Sequence, residues 1–193
     1  MRIVFDKMKT TMIETEEKTM NPVLENIRTR RSCKKYTDRP VAKELVDQIV
    51  EAGLWAASAM GRQNVIILAV TEKKTRDAIS LLNAKYDQQH RPDPFYGAPA
   101  VLCVLAPKAD GTAVHDGSLV MGNMMLAAHA LGVDNCWIHR AEEVFNDPEG
   151  IEILRKAGIE GDYLGIGNLI LGYAEIPNTT DKPRKDNRVF FVE

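Results

Sequence analysis

One segment of this chain is too apolar to lie anywhere but in the centre of a fold. Residues 115–131, HDGSLVMGNMMLAAHAL, predict a helix that is rich in Met and Ala and apolar around much of its circumference. Gly132 follows as a C′ glycine and marks the end of this helix. Because such a helix has little polar surface to turn toward water, the other elements must pack around it.

Helical patterns alternate with short, apolar, often β-branched runs along the rest of the chain. Buried strands are predicted over 65–70, 100–106, 133–138 and 163–174, with a further strand-like run at 188–193. Other helices are predicted over 22–30, 43–58, 75–86 and 147–157. With 193 residues and no repeat or linker, the chain is predicted to form one domain of helices and strands, residues 21–193, after an N-terminal extension, residues 1–20.

The composition argues against several classes of protein. A formal net charge of −2 gives no overall attraction to nucleic acid. No run is apolar enough for a membrane helix or a signal peptide, so we expect no membrane partner. Three cysteines without a CxxC pair fit a reduced, cytoplasmic setting. The four histidines do not stand at metal-ligand spacings, so no metal is expected.

Two basic clusters raise the question of a binding site. Residues 28–39 and 182–188 both combine cations with prolines and with hydroxyl or amide side chains. Solvated surface is one interpretation, nucleic-acid binding is a second, and a grip on a phosphate monoester is a third. A phosphate dianion needs two or three cations together with hydroxyl and N–H donors. The residues with this chemistry are Arg30, Ser32 and Lys34 in the first cluster and Lys182 and Arg184 in the second.

No nucleophile accompanies that grip in the sequence. The run GIGNLILG (165–172) lacks the third glycine and the following helix of a dinucleotide-binding fingerprint, so its glycines fit a packed strand close to another backbone. The sequence contains neither a GxSxG motif nor a Walker A motif. A phosphate grip without a nucleophile suits a protein whose chemistry is carried by a bound phosphorylated cofactor.

Four segments, taken in order, resemble the FMN-dependent nitroreductase superfamily. The first, RTRRSCKKY (28–36), is similar to the family's R-R-S-x-R-x-Y/F opening. AGLWAASAMGRQNVIILAV (52–70) resembles its A-x-x-A-P-S-A-x-N-x-Q-P-W segment, and HDGSLVMGNMMLAAHALGVDNCWI (115–138) resembles its central helix. LILGYAEIPNTTDKPRK (169–185) resembles the closing L-x-x-G-Y-x-x-E-x-P…K-x-R run. Together the segments extend over the chain from residue 21 onward in the family's order.

The resemblance implies an α+β fold, with a mixed central β-sheet flanked by helices. It also implies an intertwined homodimer with two FMN sites at the subunit interface. The residues that it places on the FMN phosphate are Arg30, Arg31, Ser32, Lys182 and Arg184. It places Lys34 near the N1–O2 edge of the flavin, where a cation stabilises the negative charge that reduction leaves.

The resemblance also assigns residues around the flavin ring. The segment that packs near the ring from the partner chain corresponds to Ala57, Ser58, Ala59 and Gln63. Ile138 and His139 occupy a strand end whose backbone lies near N5 and O4, so a backbone contact is expected there. No side chain is expected to be catalytic, because the chemistry is on FMN.

The implied activity is an NAD(P)H-dependent oxidoreductase. Hydride would pass from NADH or NADPH to FMN N5 and then to an acceptor such as a nitroaromatic or a quinone, in a ping-pong cycle. The alternatives are a specialised flavin enzyme with another substrate and a flavin-binding protein without turnover. Some positions depart from the family pattern: Ala57 stands for proline, Gly61 for asparagine and Asn64-Val65 for Pro-Trp. These departures leave the acceptor open.

Overall fold

The two longest strands lie side by side in the middle of a four-stranded sheet. The computed structural model describes residues 20–192, and its sheet has the order β1-β2-β4-β3. The strands are β1 (Ile66–Val70), β2 (Ala100–Pro107), β3 (Asp134–Ile138) and β4 (Tyr163–Gly172). β2 and β4 are buried along most of their length, as expected of strands with both faces covered.

The neighbouring strands pair antiparallel throughout this sheet. A mixed sheet, with both parallel and antiparallel pairing, was expected. In the described part of the chain the parallel pairing is limited to one bridge, between Ser32 and Asn135 beside β3. The prediction of a strand at 188–193 is wrong for residues 188–192, which are irregular and exposed. Apolar alternation predicts an extended chain, but a strand also needs a neighbour for its backbone, and this tail has none within residues 20–192.

Helices cover both faces of the sheet. They are α1 (Pro22–Thr29), α2 (Lys43–Leu54), α3 (Lys73–Lys85), α4 (Ala113–Ala130), α5 (Ala141–Asn146) and α6 (Pro148–Lys156). Sequence patterns predicted all of these helices except α5, which is too short to display a helical period. α2 ends before the predicted residue 58, because the chain turns there into a 3₁₀ turn (Ala59–Gly61) that contains Met60 at φ +53°.

β2 divides its side chains between two hydrophobic clusters, one on each face of the sheet. Val101, Cys103 and Leu105 pack with residues of α3, α5 and α6. Leu102 and Val104 pack with residues of α2 and α4 on the other face. This alternation follows from the two-residue period of a strand and places the core on both sides of the sheet.

α4 is the central helix, as its sequence predicts. Met121 and Met124 are fully buried, and the helix contacts α2 and three strands. Its end is also as predicted: Gly132 has φ +71°, and the Val133 N–H donates to the Ala128 carbonyl at 2.8 Å. Within residues 20–192 no helix has both the length and the apolar character needed to cross a bilayer.

The predicted N-terminal extension, residues 1–20, falls almost entirely outside the described part of the chain. Met20 alone belongs to the described residues, and it immediately precedes Asn21, whose side chain caps α1 by accepting from the Val23 N–H at 2.9 Å. The start of the domain at residue 21 stays a prediction.

Candidate cofactor-binding site

A cleft of about 600 Å³ lies where the two basic clusters meet. It is lined by residues 30–35, which follow α1, and by alternate residues of the segment 176–184, which follows β4. Among the lining residues within 20–192 none is acidic, and the cations are Arg30, Arg31, Lys34, Lys35, Lys182 and Arg184. The structure therefore brings the two halves of the predicted phosphate grip together in one positively charged cleft.

Arg31 holds the two walls of the cleft together. Its Nε donates to the Thr180 carbonyl at 2.9 Å, and its Nη2 forms an ion pair with Asp181 at 2.7 Å. Its Nη1 donates to the carbonyls of Arg28 and Arg30. Since all three guanidinium nitrogens already donate to protein acceptors, Arg31 shapes the cleft by fixing the tail. Its predicted contact with a phosphate stays a prediction.

Arg30 is the cation whose surroundings most favour an anion. Its side chain is partly buried, and Nη1 is fully buried without a hydrogen-bond partner in residues 20–192. Burial lowers the pKa of Arg30, the nearby Cys136 opposes this effect, and the charge of Arg31 adds to it. A buried cationic nitrogen without an acceptor costs free energy, and a bound anion would remove that cost.

The edge of β3 runs beside the first wall of the cleft. The Cys33 N–H donates to the Asn135 carbonyl at 3.0 Å, next to the Ser32–Asn135 bridge. Burial raises the pKa of the Cys136 thiol, and a hydrogen bond with the Ser32 side chain partly opposes this effect. These contacts fix Ser32 between the cleft and the sheet. Its predicted role toward a phosphate stays a prediction.

Ile138 is the last residue of β3, and His139 follows it directly. The side chain of Ile138 is buried and that of His139 is exposed. The His139 carbonyl accepts a hydrogen bond from the buried Asn83 amide at 2.8 Å. This strand end is therefore rigidly held, and its predicted backbone contact with a flavin stays a prediction.

The predicted ring-contacting segment lies apart from this cleft. Ala57, Ser58, Ala59 and Gln63 are not among the residues that line it. The segment is nevertheless fixed: the Ala59 N–H donates to both carboxylate oxygens of buried Asp116 at 3.2 Å, and the Gln63 N–H donates to Ser58 Oγ at 3.0 Å. A place near the partner's flavin stays a prediction for these residues.

Loop 87–97 supplies a neighbour of the site that no sequence motif indicates. Lys34 Nζ lies 6.0 Å from the centre of the Tyr96 ring. The Tyr96 hydroxyl in turn accepts a hydrogen bond from Arg91. Lys34 and Tyr96 lie far apart in sequence and share no periodic pattern, so only the folded chain reveals their contact.

The other cations of the first basic cluster face solvent. Arg28 and Arg39 are exposed, and the Arg39 guanidinium lies 3.9 Å from the centre of the Tyr173 ring. Lys35 is also exposed, although it reaches the rim of the cleft, and it forms an ion pair with Glu175 at 2.7 Å. The cluster is thus divided between solvated residues and residues of the cleft.

The fold and the site define a class of protein: an α+β protein with a positively charged cleft beside the edge of its sheet. The chain belongs to the nitroreductase family, whose family model matches residues 27–173. A protein of Methanothermobacter thermautotrophicus, provisionally named NADH dehydrogenase/NAD(P)H nitroreductase, is 32% identical over 162 residues. The alignment covers 82% of this chain and 81% of that relative.

Solved structures of the same fold also match the chain. A nitroreductase with bound FMN from Bacteroides fragilis superimposes with a TM-score of 0.80 and is 28% identical, covering 90% of this chain and 100% of that one. A nitroreductase with bound FMN from Desulfitobacterium hafniense gives a TM-score of 0.81 at 26% identity, with the same coverage of the two chains. These similarities confirm the predicted α+β fold and the predicted family.

Proposed function

We propose that this protein is an FMN-dependent oxidoreductase that takes its electrons from NAD(P)H. The observation that carries the proposal is the set of six cations that lines one cleft, with no acidic residue among the lining residues in the part of the chain that the structure describes. Arg30, one of these cations, also has a buried Nη1 without a hydrogen-bond partner within residues 20–192. FMN offers the phosphate dianion that such a cleft favours. The FMN-bound relatives and the name of the M. thermautotrophicus protein support the choice of cofactor and electron donor.

The residues of the cleft fit the phosphate end of FMN. Arg30 would donate from its guanidinium, and the exposed side chains of Lys182 and Arg184 would reach the same phosphate from the tail. The Ser32 hydroxyl would add a neutral donor. Lys34 lies at the other end of this segment and would face the flavin ring.

Bound FMN would supply the redox chemistry, receiving hydride at N5 from NAD(P)H and passing two electrons to an acceptor such as a nitroaromatic or a quinone. The chain's own part is to bind and orient. The cations hold the phosphate, and the fixed strand end at Ile138 and His139 offers backbone groups to the ring. The nicotinamide and the acceptor would occupy the same face of the flavin one after the other. The catalytic cycle would therefore be ping-pong.

A homodimer is part of this proposal, and exposed apolar side chains support it. Val114 and Leu119 on the central helix are 55% and 50% exposed, although this helix is the most apolar in sequence. Val23 and Leu24 on α1 are 64% and 55% exposed. A second copy covering these surfaces would bury them and bring its segment 57–63 to the cofactor site.

The buried free thiols of all three cysteines support the proposed cytoplasmic setting.

The proposed function predicts a yellow protein that NAD(P)H bleaches. The purified full chain is incubated with FMN, separated from free FMN, and its absorption is recorded under anaerobic conditions before and after NADH or NADPH is added. We expect flavin absorption bands that disappear on reduction and return when a quinone is added. A colourless protein would overturn every flavin-based function, and a yellow protein that neither nucleotide bleaches would overturn the NAD(P)H-dependent reductase.

A further inference from the structure

Lys34 connects the cofactor cleft to a separate part of the fold. It lines the cleft, and its ammonium group lies 6.0 Å from the centre of the Tyr96 ring. The chain runs extended from Arg30 onward, so Arg30 and Lys34 stand roughly 13 Å apart along the backbone. The two cations are therefore too far apart to contact the same end of a ligand. If Arg30 contacts the phosphate of FMN, the Lys34 ammonium lies toward the flavin ring.

The position of Tyr96 is fixed by its own loop. Asp93 accepts hydrogen bonds from Arg76 at 2.9 Å, from Ser80 at 2.5 Å and from the backbone N–H groups on both sides of Tyr96. Phe95 is fully buried. Tyr96 itself has φ +53°, a left-handed conformation that a bulky residue adopts only when its surroundings impose it. The ring is thus held in place independently of Lys34.

The other cation beside the Tyr96 ring, Arg91, is already paired with a carboxylate. The Arg91 guanidinium lies 5.4 Å from the ring centre and donates to the Tyr96 hydroxyl. It also makes two hydrogen bonds with the Asp87 carboxylate, at 2.7 and 2.8 Å. The pairing with Asp87 raises the pKa of Arg91, and the pairing with Arg91 lowers the pKa of Asp87. Lys34, in contrast, has no carboxylate partner within residues 20–192.

We infer that Tyr96 is a positioning residue that holds the Lys34 ammonium at the ring end of the cleft and so raises the reduction potential of bound flavin. The inference rests on the proposed function. A lysine side chain is long and flexible, and attraction to the face of a fixed ring narrows the positions of its charge. Two electrons and one proton leave a negative charge on the N1 side of a flavin ring, and a nearby cation stabilises it.

The test is the equilibrium between oxidised and two-electron-reduced FMN in the holoprotein, measured against a reference dye under anaerobic conditions. Tyr96→Leu is expected to lower the ratio of reduced to oxidised FMN at a fixed potential by about 2- to 5-fold, the range of one cation–π contact at an exposed site. Tyr96→Phe keeps the ring face and should remain within twofold of wild type. Lys34→Met should lower the ratio at least as much as Tyr96→Leu.

The decisive comparison is between the double variant, Tyr96→Leu with Lys34→Met, and the single variant Lys34→Met. If Tyr96 acts through Lys34, the double variant will match Lys34→Met alone. A full effect of Tyr96→Leu in the Lys34→Met background would overturn the inference, as would an unchanged ratio in Tyr96→Leu. Tyr96→Met, a second apolar replacement without a ring face, provides the same test if Tyr96→Leu does not fold. A wild-type protein that binds no FMN would refute the proposed function itself, an outcome visible before any variant is made.

Discussion

Replacing Arg30 with alanine is expected to weaken FMN binding by about 1.5–3 kcal/mol, a loss of roughly 10- to 150-fold in affinity. The reason is the buried Nη1, which has no acceptor within residues 20–192 and which a phosphate oxygen would satisfy. A charge-assisted hydrogen bond, such as one from this guanidinium to a phosphate, is stronger than a hydrogen bond between neutral groups. The dissociation constant can be measured from the quenching of flavin fluorescence on titration with protein.

Arg28→Ala is the matched control for Arg30→Ala. It removes the same charge from the same segment, but Arg28 is exposed and does not line the cleft. Its effect on FMN affinity should stay within about twofold, because exposed charges are screened by solvent and salt. Arg184→Ala should fall between the two, since Arg184 lines the cleft but is exposed. Equal affinities for Arg30→Ala and Arg28→Ala would show that Arg30 does not hold the phosphate.

Gly165→Ala is expected to lower the free energy of unfolding by about 3 kcal/mol, at the upper end of the usual range for overpacking. A Cβ at this position of β4 would lie 2.1 Å from the Ala141 carbonyl oxygen and 2.9 Å from the Glu142 nitrogen. Both obstacles are backbone atoms at the start of α5, which is anchored by the buried Val144 and Phe145. Chemical denaturation followed by circular dichroism measures the change.

Gly111→Ala is the control for this substitution. Gly111 is exposed, and a Cβ there would meet no atom within 4 Å. Its unfolding free energy should stay within about 0.5 kcal/mol of wild type, as is usual for surface positions. A Gly165→Ala variant as stable as Gly111→Ala would mean that β4 and α5 do not approach as closely as described.

Much of the fold could be predicted because apolar periodicity is a local property. The Met- and Ala-rich run at 115–131 required a central helix, and α4 is that helix. The glycines of GIGNLILG suggested a strand close to another backbone, and Gly165 lies against α5. The direction in which strands pair is set by the connections between them, which is why the antiparallel sheet was not evident from the strand patterns.

The site was only partly predictable because its geometry depends on contacts between distant segments. From residue types alone, the two basic clusters could be solvated surface, a nucleic-acid site or a phosphate grip. The resemblance to the family predicted that both clusters contact the same phosphate. Arg30 and Arg31 are adjacent and chemically identical. Within residues 20–192, however, Arg30 has a buried nitrogen without a hydrogen-bond partner, whereas Arg31 is bonded to Thr180 and Asp181 of the tail. Nothing in the sequence distinguishes them, and nothing in it pairs Lys34 with Tyr96.

The comparison of FMN with riboflavin as ligands of the wild-type protein tests the phosphate clamp most directly. The two molecules share the flavin ring and the ribityl chain and differ only in the phosphate. If Arg30, Lys182 and Arg184 grip that phosphate, FMN will bind at least about 100-fold more tightly than riboflavin, and added salt will narrow the difference. Equal affinity for the two ligands would contradict a phosphate clamp in this cleft.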